Sequence, residues 1–162
     1  MDRQERDRHE RFLREAMRLA AENVRAGVGG PFGALVVREG EIVARGMNRV
    51  TLEGDPTAHA EIVAIREACR KLGSFQLDGC DVYTSSEPCP MCLGAIYWAR
   101  PRALYFATGR EAAAEAGFDD GLIYEELAKP AEDRSIRMQA VEVEGSEEPF
   151  RLWLASEDRI EY

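Results

Sequence analysis

The sequence has 162 residues, of which 45% are hydrophobic and 31% are charged, a composition typical of a globular protein with one buried core. Its apolar runs are only a few residues long, so no segment is expected to span a bilayer. Thirty acidic and 21 basic side chains leave a net charge of -9, which disfavours a nucleic-acid partner because phosphate binding depends on Lys and Arg.

Charged side chains dominate the first ten positions, MDRQERDRHE. They stand where a secretory signal would have its apolar stretch, so we expect a cytoplasmic protein. No linker or internal repeat divides the rest of the chain. We therefore expect a single domain over residues 1–162, with residues 1–10 as a frayed leader.

Strands and helices are predicted to alternate along the chain. Apolar residues every four positions from Phe12 to Val24 predict a first helix that ends before Gly27. The later elements, in chain order, are a hairpin of strands over 34–37 and 42–44, a helix from near His59 to Gly73, a strand over 82–84, a helix from 86–88 to Pro101, a strand over 103–106, a helix over 111–116 and a fifth strand over 136–143. This order predicts a three-layer α/β/α domain around a central mixed five-stranded sheet.

Two cysteines in Pro88-Cys89-Pro90-Met91-Cys92 form the strongest local motif. Thiols three positions apart at the start of a helix lie on one face and can share a metal ion. Thirty residues upstream, His59-Ala60-Glu61 offers an imidazole ligand and a free carboxylate. A His-x-Glu followed by Pro-Cys-x-x-Cys is the signature of zinc-dependent nucleobase deaminases.

The chemistry of these residues requires that they meet at helix ends. His59 and Glu61 lie about 200° apart around a regular helix, so they can converge only near its end. We expect both helices to direct their N-termini at the metal, because the helix dipole favours thiolate and hydroxide there. Cys89, Cys92 and a neutral His59 would bind one Zn²⁺ per chain and leave the fourth position for water or hydroxide. Glu61 would stay off the metal and move protons during hydrolytic deamination.

Less specific interpretations compete at several positions. A structural Cys₄ zinc site is the main alternative for the cysteine pair, but Cys69 fits an apolar helix stripe and Cys80 a buried position before a strand. His9 lies in the charged leader and is expected to be solvated. Phe32 and Trp98 are by default core aromatics, although either could stack on a planar base.

The sequence resembles the cytidine-deaminase-like superfamily along nearly its whole length, and within it the bacterial guanine deaminases. The matching stretches are GGPFGALVV from Gly29, DPTAHAE ending at Glu61, EPCPMCLGAIYWARP from Glu87, EAGFDD ending at Asp120 and the terminal Glu161-Tyr162. The whole superfamily shares the zinc signature, whereas the GFDD segment and the aromatic C-terminus point to guanine. The resemblance implies zinc-dependent hydrolysis of guanine to xanthine and ammonia.

The resemblance also implies roles for residues outside the zinc motif. Asn48 would contact the base, Asp120 would hold its N–H edge or relay protons to the leaving amine, and Tyr162 would help to close the pocket. On pattern alone, Asp120 and Asn48 could equally be turn or cap residues. The resemblance further implies a homodimer that exchanges a C-terminal segment, residues 145–162, so that Tyr162 could act in the partner's site.

Other functions stay open at this point. Another small aminated heterocycle or nucleoside, such as guanosine, ammeline, cytosine or cytidine, could be the substrate, with tRNA adenosine less favoured because of the net charge. A zinc-stabilised binding module would keep the fold without turnover, although Glu61 argues against it. The expected partners are a small purine and a second copy of the chain, with neither nucleic acid nor membrane.

Overall fold

Four strands form one mixed sheet in the computed structural model, which describes residues 2–162. The strands are β1 (Gly33–Arg38), β2 (Glu41–Met47), β3 (Cys80–Ser86) and β4 (Ala103–Thr108). They lie in the order β2-β1-β3-β4. Strand β1 pairs antiparallel with both β2 and β3, whereas β3 and β4 run parallel. Strands β1 and β3 therefore form the centre of the sheet.

Seven α-helices accompany the sheet in the described chain. They are α1 (Arg3–Arg25), α2 (Val50–Glu53), α3 (Ala60–Leu72), α4 (Pro90–Ala99), α5 (Arg110–Glu115), α6 (Gly121–Ala128) and α7 (Glu148–Ala155), with a 3₁₀ turn at Ala131–Asp133. The chain divides into two compact units, Met1–Asp120 and Gly121–Tyr162. Over residues 2–162, none of the helices combines the length and apolar content that crossing a bilayer takes.

The first unit has three layers. Successive side chains of β1 point to opposite faces of the sheet, as in any strand. On one face, α1 packs against the sheet through Phe12, Ala16, Leu19, Leu35, Val37 and Tyr83. On the other face, α3 and α4 contribute to a core of Ala34, Val36, Ala44, Ala60, Ala64, Ala68, Leu77, Cys80, Val82, Ile96 and Ala99. The predicted α/β class and the helices on both faces of a mixed sheet are confirmed.

The predicted fifth strand over residues 136–143 is wrong. This segment has no regular secondary structure, and its apolar side chains Ile136, Val141 and Val143 are exposed. A loose alternation of apolar and polar residues predicts a half-buried strand, but it does not show that the segment pairs with a sheet. Residues 136–143 pair with no strand, so the sheet has four strands in the described chain.

The N-terminal segment is helical rather than frayed. Helix α1 begins at Arg3, and the Asp2 side chain caps it by accepting a hydrogen bond of 2.8 Å from the Glu5 backbone N–H. His9 is buried, with Nδ1 2.8 Å from Tyr83 Oη and its ring stacked on Tyr105. The expected leader and solvated His9 are therefore corrected for Asp2 onward, while Met1 lies outside the described residues. Because this segment is so highly charged, its sequence does not reveal that one face of it continues the buried stripe of α1.

Strand β2 approaches helix α3 most closely at Gly46. A Cβ atom at this position would lie 2.0 Å from the carbonyl oxygen of Ala60 and 2.6 Å from the backbone nitrogen of Ala64. Only a glycine allows backbones to come this close. Because Ala60 is the first residue of α3, the contact at Gly46 fixes the start of that helix.

Gly46→Ala is therefore expected to destabilise the protein. The added methyl group must push α3 from β2, which costs about 1–3 kcal/mol of unfolding free energy in comparable overpacked sites. Urea unfolding followed by circular dichroism would measure the change.

The matched control is Gly94→Ala in α4, where an added Cβ meets nothing within 4 Å. This variant is expected to be as stable as the native chain or slightly more so, since alanine is favoured over glycine inside a helix. Equal unfolding midpoints for Gly46→Ala and the native chain would contradict the close contact.

Candidate metal centre

His59, Cys89 and Cys92 meet where two helices begin. His59 is the extended residue immediately before α3, and Cys89 is the extended residue immediately before α4. Pro90 favours this start, because its fixed φ suits the first helical position and its missing N–H is not needed there. Cys92 follows in the first turn of α4. The predicted convergence of two helix N-termini is thus present.

The three ligand atoms have the spacing of a tetrahedral zinc site. Nδ1 of His59 lies 3.6 Å from Cys89 Sγ and 3.5 Å from Cys92 Sγ, and all three atoms lie within 4.8 Å of one another. Zinc bonds of the usual lengths to nitrogen and sulfur, at a tetrahedral angle, place these atoms about 3.5 Å apart. The cluster therefore fits a zinc ion bound by three protein ligands.

The electrostatic environment favours a thiolate in this cluster. The pKa of Cys89 is lowered to about 4, chiefly by a hydrogen bond from the Cys92 thiol and also by His59, against the opposing effect of burial. The pKa of His59 is raised, first by its hydrogen bond with Cys89. Unpaired backbone N–H groups at the two helix N-termini add to the positive potential. A thiolate is the form of cysteine that binds metal.

Glu61 lies beside the cluster without belonging to it. It occupies the first turn of α3, and only 6% of its surface is exposed. Burial raises the pKa of its carboxyl group, and the negative charge of Cys89 raises it further. Within residues 2–162, the group of potential metal ligands consists of His59, Cys89 and Cys92. A buried, unligated carboxyl group with a raised pKa is suited to proton transfer near neutral pH.

Asn48 and Phe32 lie together near the end of β2. The backbone N–H of Asn48 donates to the carbonyl of Phe32 at 3.2 Å, and the Asn48 side chain is buried. Phe32 packs partly buried against the core, as expected. Its ring also meets Phe118 edge to face, a neighbour that the sequence pattern does not reveal.

The remaining predicted residues have different environments. Asp120 is partly buried, and burial raises the pKa of its carboxyl group. The negative charge of Cys89 raises this pKa further, so Asp120 interacts electrostatically with the metal cluster. Trp98 is 64% exposed on α4, which corrects its default placement in the core. Tyr162 lies in the second unit and is 69% exposed. The substrate-binding roles of these residues stay predictions.

The family of the chain follows from its sequence together with this site. An α/β sheet whose helix N-termini bring together one histidine, two cysteines and a buried glutamate defines the class of zinc-binding deaminase-like proteins. Residues 6–108 match the cytidine and deoxycytidylate deaminase zinc-binding region. The chain belongs to this family.

The similar proteins include guanine deaminases and tRNA-specific adenosine deaminases. The chain is 56% identical to the guanine deaminase of Bacillus subtilis (strain 168) over 95% of its own length and 99% of that protein's. The crystal structure of the Bacillus subtilis protein superposes with a TM-score of 0.93 and covers 95% of the chain and 98% of the solved one.

Two other relatives are less similar. The structure of a guanine deaminase from Nitrosomonas europaea is 38% identical, with a TM-score of 0.64, and the match covers 68% of this chain and 64% of that one. A tRNA-specific adenosine deaminase from Aquifex aeolicus (strain VF5) is 44% identical over 60% of this chain and 64% of its own length.

Cys92→Ser is expected to abolish zinc binding. Replacing one thiolate by a hydroxyl removes a strong ligand from a site that has only three. Metal analysis of the purified protein should find about one zinc per native chain and almost none in the variant.

Cys69→Ser provides the control, because Cys69 is a free cysteine on α3 outside the cluster. It should retain the native zinc content. Loss of zinc from Cys69→Ser as well, or its retention in Cys92→Ser, would show that the ligands are misassigned.

Proposed function

We propose that this protein is a zinc-dependent guanine deaminase, which hydrolyses guanine to xanthine and ammonia. One observation carries the proposal: His59 Nδ1 lies 3.5–3.6 Å from both thiols, with buried Glu61 two residues further on. The substrate follows from 56% identity to the Bacillus subtilis enzyme over 95% of the chain. The match to the tRNA-specific relative covers only 60% of the chain.

Glu61 carries the proton transfers in this proposal. When bound by His59, Cys89 and Cys92, zinc supplies Lewis-acid activation of water. The Glu61 carboxylate takes a proton from the attacking water and passes it to a ring nitrogen of guanine. A C–O bond forms at the carbon that bears the amino group. Glu61 then takes the second proton from the new hydroxyl group and gives it to the amine. The C–N bond breaks, the C–O bond becomes the carbonyl of xanthine, and ammonia leaves.

Asn48, Phe32 and Asp120 are proposed to bind the purine. Asn48 Oδ1 accepts hydrogen bonds from the backbone N–H groups of Gly30 and Val50, which fixes the amide so that Nδ2 is its donor toward a purine acceptor. Phe32 would stack on the base, with Trp98 as a second candidate for stacking. The Asp120 carboxylate would accept from the N1–H and amino groups that guanine presents, because an ionised carboxylate only accepts hydrogen bonds.

We also propose a homodimer in which residues 145–162 are exchanged, so that Tyr162 closes the partner's site. The unit Gly121–Tyr162 contains no buried residue, and its exposed apolar side chains include Phe150, Trp153 and Ile160. A cluster of exposed large apolar side chains is typical of a protein–protein interface. Together with the zinc-binding unit, this segment would complete one functional domain. A cytoplasmic location stays a prediction.

Glu61→Gln is expected to lower kcat for guanine by about 10²–10⁴-fold, the usual contribution of a general acid–base group. The amide has nearly the same shape as the carboxylate but cannot take the proton, so the zinc content should stay at the native level. A coupled ammonia assay and metal analysis would measure the two quantities.

Glu67→Gln is the matched control, because Glu67 lies on the same helix and forms an ion pair with the exposed side chain of Arg70. It should keep native turnover. A Glu61→Gln variant that loses zinc would mean that Glu61 has a different role, and one that retains turnover would exclude it as the proton carrier.

The substrate is tested by comparing guanine with guanosine, ammeline, cytosine, cytidine and a tRNA that carries a deaminable adenosine. Guanine is expected to have the highest kcat/KM. If guanine were inert while another of these compounds released ammonia, the substrate would be wrong although the zinc chemistry would stand. No turnover of any of them would favour a zinc-stabilised binding module.

The exchanged segment is tested by complementation between two inactive chains. One chain carries Glu61→Gln with an intact C-terminus, and the other lacks residues 157–162 but retains Glu61. If Tyr162 acts in the partner's site, a mixed dimer contains one complete site of two and should have about half of the native activity. A random mixture of the co-expressed chains, of which about half are mixed dimers, should have about a quarter.

Each chain expressed alone is the control and should be nearly inactive. Mixed dimers without activity would place Tyr162 in the site of its own chain. Native activity of the shortened chain alone would remove Tyr162 from the mechanism.

A further inference from the structure

Asn23 connects the end of helix α1 to two segments of the site. It lies in the last turn of α1, and only 1% of its surface is exposed. Its Nδ2 donates hydrogen bonds of 2.9 Å to the carbonyl of Gly30 and of 2.9 Å to the carbonyl of Asn48. A single buried amide group therefore holds two loops that are distant in the sequence.

The two carbonyls fix which way the Asn23 amide is turned. Only the NH₂ group can donate to both of them, whereas the opposite orientation would place three oxygen atoms together. In this orientation Asn23 Oδ1 is buried and has no hydrogen-bond partner among residues 2–162. An unpaired buried oxygen is unfavourable for folding. The unpaired oxygen thus reduces the net contribution of Asn23 to the stability of the fold. The main effect of Asn23 is to hold the carbonyls of Gly30 and Asn48 through Nδ2.

The backbone held by Asn23 determines the direction of the Asn48 side chain. The carbonyl of Asn48 is bound by Asn23, and its N–H donates to Phe32. Asn23 also binds the carbonyl of Gly30. The backbone N–H of Gly30 in turn donates to Asn48 Oδ1 at 3.4 Å. A closed ring of contacts thus runs through Asn23, Gly30 and Asn48.

Gly29, next to this ring of contacts, packs so closely against Asn48 that the loop has no room to shift. A Cβ atom at Gly29 would lie 2.3 Å from the carbonyl oxygen of Asn48 and 3.1 Å from Asn23 Nδ2. The loop therefore passes directly over the Asn48 backbone, where only a glycine fits. Movement of the Gly30 carbonyl away from Asn23 would also shift the backbone N–H that holds Asn48 Oδ1.

We propose that Asn23 is a positioning residue for guanine binding, which acts by fixing Asn48 and the loop at Gly29-Gly30. The inference rests on the proposed function, because it takes Asn48 as a contact of the base. Asn23 does not touch the metal ligands in this scheme, so it should affect substrate affinity and leave the chemical step intact. A group that binds substrate and transition state equally changes KM rather than kcat.

Asn23→Ala and Asn23→Leu test this role. The leucine variant nearly keeps the side-chain volume and removes only the polar group. Both are expected to raise KM for guanine about tenfold and to change kcat less than about twofold, since loss of one neutral hydrogen bond typically weakens binding by about that factor. Zinc content should equal that of the native chain.

A double-mutant cycle separates positioning from general destabilisation. If Asn23 acts through Asn48, Asn23→Leu should change KM less than about twofold when Asn48→Ala is already present. Tyr83→Phe is the stability control, because it removes the buried hydrogen bond between Tyr83 and His9 at the other end of α1. It should lower the melting temperature without raising KM.

The outcomes distinguish this inference from the proposed function. Failure of the native chain to deaminate guanine would refute the function. Normal native turnover with unchanged KM in Asn23→Leu would refute the positioning role alone, as would an equal rise in KM in the Asn48→Ala background or in Tyr83→Phe. Failure of both Asn23 variants to fold would also overturn it, because Asn23 would then be required for the fold.

Discussion

The metal centre depends on two helices whose N-termini lie next to each other. His59 precedes α3 and Cys89 precedes α4, so both side chains leave extended backbone just before a helical turn. Backbone N–H groups in the first turn of a helix have no partner within it and carry partial positive charge. The thiolate of Cys89 is stabilised there, since the pKa of Cys89 is lowered to about 4. The sheet is the frame that brings the two helix starts to one point.

Close backbone contacts keep that frame in place on both faces of the sheet. A Cβ atom at Gly33 would lie 2.3 Å from the carbonyl oxygen of Ala16 in α1, just as one at Gly46 would meet α3. Gly33 directly follows Phe32, and Gly46 lies two residues before Asn48. The glycines that let helices touch the sheet thus also fix the backbone of the proposed purine-binding residues.

Elements with a regular apolar pattern can be predicted from the sequence, and elements that depend on distant partners cannot. The stripe from Phe12 and the helix-start residues near His59 and Cys89 are local, so the sequence predicts α3 and α4 near their observed positions and α1 without its first turns. The fifth strand is wrong because alternation alone does not show whether a segment pairs with a sheet. Asn23 escapes prediction for a related reason: it continues the buried stripe of α1 with a polar side chain, while neighbouring Val24 is exposed.

The same distinction separates the chemistry of the site from its specificity. The metal ligands and Glu61 belong to two short motifs whose spacing can be recognised directly, and the ligands converge once both motifs start helices. The proposed recognition of the base depends instead on contacts such as Asn23 with Asn48 and Gly30 with Asn48, which join a helix end, a glycine loop and a strand end. No single segment specifies that arrangement. Related chains can therefore share the zinc motifs while the segments proposed to bind the base differ.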